Sequence, residues 1–149
     1  MEPIKNSNVT SFPASPDSST TINRKLAVRW GGQENLFARP EGWVGVPDSF
    51  LRLYARLKPY ALTVGEAMFV LELMAYKWSE TAPFPSYKSL AARMGVTDKM
   101  VRRYAANLEG KGYLLRQARI GSTNTFNLDP LFAALAKGLE EEKKLPKAA

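Results

Sequence analysis

SYKSLAARMGVTDKMVRRYAANLEGKG, residues 86–112, is the stretch that decides the fold. Ser86 supplies the hydroxyl that a helix N-cap needs, and Leu90, Ala91 and Met94 follow at spacings that share one helical stripe. Gly95 suits the left-handed conformation that closes a helix, and Thr97 then offers a second cap. A short helix over about 86–94 and a longer one over about 97–110 are therefore predicted to meet at a tight glycine corner. At about 100 degrees per residue, Val101, Ala105 and Leu108 share the inward face of the second helix, with Tyr104 at its margin. Lys99, Arg103 and Ala106 fall on the opposite face, flanked by Arg102 on one side and by Met100 and Asn107 on the other.

Beyond Gly112 the apolar period shortens to two. YLLRQARIGSTNTFNL, 113–128, carries Leu114 outward, turns at Gly121-Ser122 and returns through Phe126 and Leu128, which predicts a β-hairpin. Arg116, Arg119, Ser122, Thr123 and Asn124 are polar groups on that hairpin able to bind phosphate or sugar, with Arg119 foremost. Tyr87 and Lys88 stand at the start of the first motif helix, where free backbone N–H groups attract phosphate. The plainer reading of these polar residues is an ordinary solvated turn and helix end.

Upstream, Phe50, Leu51, Tyr54 and Leu57 follow Pro47 at helical spacing, and this helix is expected over 48–58. Thr63 and Glu66 form a T-x-x-E capping box ahead of Ala67, Phe69, Val70, Leu71, Leu73, Met74 and Trp78. A helix so apolar on most sides is either central to the core or partly covered by a second chain. Residues 1–30, rich in Ser, Thr, Asn and Pro, read as a flexible polar tail, and 31–46 as an extended lead-in. The end of the tail, NRKLAVRW, suits either a short strand or a basic arm that orders on contact. DPLFAALAKGL, 129–139, places Leu131, Phe132, Leu135 and Leu139 on one side of a closing helix, and 140–149 is expected to fray. The folded domain is thus expected to span 47–139.

The 149 residues hold no cysteine and no histidine, which removes disulfides, thiolate metal sites, thiol nucleophiles and the commonest general base. No phosphate loop, spaced carboxylate pair or nucleophile with its base can be assembled, so neither catalysis nor a cofactor is expected. The longest apolar stretch, AMFVLELMAY, is interrupted by Glu72 and falls well short of the roughly 20 residues that span a bilayer. The start lacks a basic region followed by an apolar run, so a cytoplasmic, nucleoid-associated protein is expected. Of the net charge of +7, nearly all belongs to residues 86–128, with eight basic and two acidic side chains. Such concentration on one stretch is what a polyanion-facing surface requires. In a major groove roughly 12 Å wide, Lys99, Arg102 and Arg103 can meet guanine and Met100 a thymine methyl, while Asn107 can pair with adenine.

FPSYKSLAARMGVTDKMVRRYAANLEGKGYLLRQ, with the NTFNLDPL return, resembles the winged helix-turn-helix domain of bacterial, phage and plasmid regulators and replication proteins. The likeness covers about 63–130 and rests on Pro85, Ser86, Leu90, Ala91, Gly95, Val96, Val101, Leu108 and Gly112, which are mostly structural positions. It implies a mainly α fold with a small β-hairpin wing, to which this chain adds an N-terminal and a C-terminal helix. It also implies that the second motif helix meets bases and the wing meets backbone, through Thr97, Lys99, Arg102, Arg103 and Arg119. The expected function is sequence-specific binding of double-stranded DNA by a homodimeric transcriptional regulator that neutralises about five to seven phosphates. A replication or partition factor on iterated repeats, recruiting replication or transcription proteins, is the alternative. A winged helix used as a protein-interaction module is a lesser one.

Overall fold

The structure, a computed structural model, describes residues 16–38, 42–77 and 81–145 and falls into two units, 1–44 and 45–149. Along the chain run α1 (Pro16–Arg29), α2 (Asp48–Leu53), α3 (Val64–Ala75), α4 (Tyr87–Met94) and α5 (Asp98–Gly110). The strands β1 (Leu115–Gln117) and β2 (Thr125–Asn127) and a last helix, α6 (Asp129–Lys144), complete the order. The fold is mainly α with a two-stranded antiparallel hairpin.

The helix starts follow from local chemistry. Thr63 and Glu66 close the capping box reciprocally, the Thr63 hydroxyl accepting from the Glu66 amide and the Glu66 carboxylate accepting from the Thr63 amide. Ser86 accepts from the Ser89 amide and Thr97 from the Met100 amide, so α4 and α5 each satisfy a donor that would otherwise lack a partner. Gly95 closes α4 at φ +69°, a conformation that glycine adopts without Cβ strain.

These starts orient the apolar stripes toward one another. Phe69, Val70 and Leu73 of α3, Leu90 and Ala91 of α4, and Val101, Ala105 and Leu108 of α5 are buried in one cluster with Leu114, Phe126, Leu131 and Leu135. Phe69 meets Phe126 edge-on at 6.2 Å and Tyr104 at 6.5 Å, and Phe126 in turn meets Tyr87 edge-on at 5.8 Å. One aromatic chain therefore joins α5, α3, the hairpin and α4. Gly65 lets α3 approach α5, since a Cβ there would stand 2.4 Å from the Tyr104 hydroxyl. Register pairs Leu115 with Asn127, Arg116 with Phe126 and Gln117 with Thr125. Beside this pair, the Phe126 amide donates to the Pro83 carbonyl at 2.8 Å, fastening the hairpin to the segment that enters α4.

Several expectations change. Residues 16–29, read as part of a polar tail and then as a strand or arm, form the helix α1. Its signal is Ile22 and Leu26, partly buried and one turn apart, beside buried Ala27. Gly31 and Gly32, at φ +94° and +83°, turn the chain after it. The helix expected over 48–58 is α2 followed by a 3-10 turn over Tyr54–Arg56, and Leu51 faces outward at 54% exposure while Leu53 takes the buried place. The closing helix runs on to Lys144 instead of fraying from 140, because Glu142 accepts from Arg52 Nη1 at 2.6 Å. Trp78, residues 1–15 and residues 146–149 lie outside the described residues. No helix among the described residues is long and apolar enough to cross a membrane.

Candidate nucleic-acid interface

Burial of Val101, Ala105 and Leu108 fixes which way α5 faces. Lys99, Arg102 and Arg103 are exposed, and Met100 is half-buried at the edge of that face. Among the described residues Lys99 and Arg103 carry no hydrogen bond or ion pair. Arg102 lies over the Tyr87 ring with its guanidinium carbon 4.6 Å from the centroid, which holds its charge near the start of α4 without neutralising it. Thr97 is spent as the cap of α5 through its accepting lone pair. Lys88 is exposed on the first turn of α4.

Between α4, α5 and the hairpin lies a cleft of about 400 Å³ whose lining includes Ser86, Tyr87, Lys88, Arg102, Ser122 and Asn124. Asp98 also borders it, where its charge favours the N-terminus of α5. Tyr87 is the hub of the cleft wall. Its hydroxyl accepts from Arg116 Nη1 at 2.6 Å and from Asn124 Nδ2 at 3.1 Å, so its own proton stays available to an acceptor in the cleft.

Other expected contacts are turned inward. Arg116 donates through Nε and Nη2 to Glu109 Oε1 at 3.2 and 2.6 Å, clamping β1 to α5. That hydrogen bond holds the Glu109 carboxyl below its ordinary range and raises the Arg116 guanidinium above its own. Arg119 donates through Nε to the Thr123 carbonyl at 2.7 Å and through Nη2 to the Thr123 hydroxyl at 3.1 Å, and it stacks on Phe84 at 4.6 Å. The Thr123 hydroxyl donates to the Phe84 carbonyl. Asn107 points its amide at Glu66 Oε2, 3.1 Å away, on the α3 side and not toward a groove.

Glu66 was legible as a cap but not as the centre of a buried network. It is 2% exposed and accepts from Lys111 Nζ at 2.6 Å as well as from Asn107 and the Thr63 amide. Burial works to raise its carboxyl, yet Lys111, Thr63 and Asn107 together outweigh burial and hold it below the ordinary range. Glu72 accepts from Arg93 Nε at 2.5 Å. Of the eight cations in 86–128, Arg93, Lys111 and Arg116 are thus neutralised by Glu72, Glu66 and Glu109. Lys88, Lys99, Arg102, Arg103 and Arg119 remain without a carboxylate partner among the described residues, the first four on α4 and α5 and Arg119 held instead by Thr123 and Phe84.

Residues 60–114 match the family model described as a helix-turn-helix domain, a span that contains α3, the glycine corner and α5. No curated protein matches the chain. With two capped helices meeting at Gly95, a buried α5 stripe and an antiparallel hairpin directly behind it, residues 60–114 are a helix-turn-helix domain, the helical part of an α+β winged fold.

Proposed function

We propose that this chain is a sequence-specific double-stranded DNA-binding protein acting on transcription, with α5 in the major groove and the wing along the backbone or minor groove. The observation that carries this reading is the exposed, carboxylate-free set Lys99, Arg102 and Arg103 on a helix whose other face is sealed in the core. Arginine and lysine so presented can pair with guanine O6 and N7. Lys88, Ser122 and the Tyr87 hydroxyl, bordering the cleft beside α5, suit phosphate oxygens. A homodimer on a repeated or palindromic site is supported by Val64 and Met68, which lie one turn apart on α3 and are 73% and 45% exposed.

The test is selection of bound duplex from a random pool, followed by titration of the recovered site against salt. With the four carboxylate-free cations of α4 and α5 on phosphate, instead of the five to seven phosphates expected from sequence, log affinity should fall with log salt at a slope of about −3 to −4 per bound chain. A flat salt response would contradict the reading. Footprints on a single promoter-overlapping operator favour a transcriptional role, whereas several evenly spaced repeats favour a replication or partition role.

A further inference from the structure

Both arginines of the wing are turned onto the protein, Arg116 onto Glu109 and Tyr87, and Arg119 onto Thr123 and Phe84. What β1 and the chain leading into the turn offer to solvent is uncharged: Leu115 at 57% exposure, then Gln117, Ala118 and Ile120. Ile120 is at 105% relative exposure, with its side chain fully open. Such a surface is poorly made for holding phosphate, which calls for cations or aligned donors.

We propose that Ile120 is an apolar wedge that enters the minor groove beside the site read by α5 and unstacks a base step there, so that binding bends the DNA. The inference rests on the DNA-binding reading above. The wing tip and the start of α5 border the same cleft, where Ser122 and Asn124 stand with Arg102, so a duplex lying on α5 passes the tip. The tip is braced for insertion. Gly121 turns the chain at φ +67° immediately after Ile120, and Arg119 immediately before it is fixed by two hydrogen bonds and a ring contact. An isoleucine has few side-chain rotamers to lose, so ordering it in a groove costs little. Branched apolar side chains are the type that separates stacked bases from the minor-groove side, and the apolar area they bury there offsets the lost stacking.

The experiment uses the full chain and a duplex recovered by the wild type from a random pool, labelled at both ends for energy transfer. The wild type should draw the ends together, whereas Ile120→Ala should leave the duplex close to its free length and bind about tenfold more weakly. Ile120→Leu should restore the bend. On the same duplex with an unpaired step at the flanking minor groove, wild-type affinity should rise while that of Ile120→Ala should not. Because Ile120 packs against nothing, its variants should keep the wild-type melting temperature. Wild-type binding that leaves the DNA straight, or an Ile120→Ala variant that bends it fully, would overturn the wedge while leaving the DNA-binding reading intact. Failure of the wild type to retain any duplex would overturn both.

Discussion

Replacing Arg102 and Arg103 together by alanine is expected to weaken binding to the selected site about a hundredfold or more, with little change in melting temperature. Each arginine is exposed on α5, and neither is tied to a carboxylate among the described residues. A well-formed arginine–guanine pair contributes about 1–3 kcal/mol of discrimination, so losing two costs about 2–6 kcal/mol, a range in which a hundredfold is about 2.8. The two should differ in kind. Arg102 rests on the Tyr87 ring, so removing it also frees a wall of the cleft that holds Asn124 and Arg116, and some loss of non-specific affinity should accompany it. Arg103 touches no such partner, and Arg103→Ala should relax base preference at one position while leaving non-specific binding nearly unchanged. Competition between the selected site and mixed-sequence duplex separates the two outcomes. Equal affinity of the double variant and the wild type for the selected site would remove α5 from recognition.

Glu66→Ala is expected to destabilise the domain by about 3 kcal/mol, a large share of the stability of a domain this size. The carboxylate caps α3 through the Thr63 amide, receives Lys111 from the end of α5 and holds Asn107, so its loss undoes a cap and an ion pair together. A fall in melting temperature of roughly 15 °C should follow. The pH dependence has a definite sign. Because the folded-state carboxyl lies below its ordinary value, its contribution is present above the unfolded value of about 4.3 and is lost as pH falls through the folded value. Denaturant titrations should therefore show wild-type stability declining in that acid window, with Glu66→Gln less stable at neutral pH and flatter below it. A Glu66→Gln variant as stable as the wild type at pH 7 would show that the network contributes nothing.

How much of this was legible in the sequence divides along the range of the interactions. Ser86, Gly95, Thr97 and the T-x-x-E box act within four residues of chain, so the bounds of α4 and α5 and the start of α3 follow from spacing alone. The inward stripe of α5 was readable for the same reason, and with it the outward direction of Lys99 and Arg103. The fates of Arg116 and Arg119 were not. Tyr87 lies 29 positions from Arg116, and only the packing of hairpin against α4 brings them together. Charge arithmetic failed likewise, since Glu66 and Glu72 sit outside the basic stretch yet neutralise two of its cations. In sequence Ile120 is a lone apolar residue in a polar turn, and its full exposure beside an inward-turned Arg119 depends on how the hairpin folds. In α1 the alternation of basic and apolar residues masked the one-turn spacing of Ile22 and Leu26, which was the signal for a helix.

The most direct test of the claim that α5 enters the major groove is chemical protection of the selected duplex against dimethyl sulfate. That reagent methylates guanine N7 in the major groove and adenine N3 in the minor groove. The wild type should protect guanine N7 positions clustered within about one groove width of each bound chain, and Arg102→Ala/Arg103→Ala should lose that protection even at concentrations that keep the duplex occupied. Full reactivity of every guanine N7 under saturating wild-type protein would place the exposed face of α5 away from the bases and contradict the account.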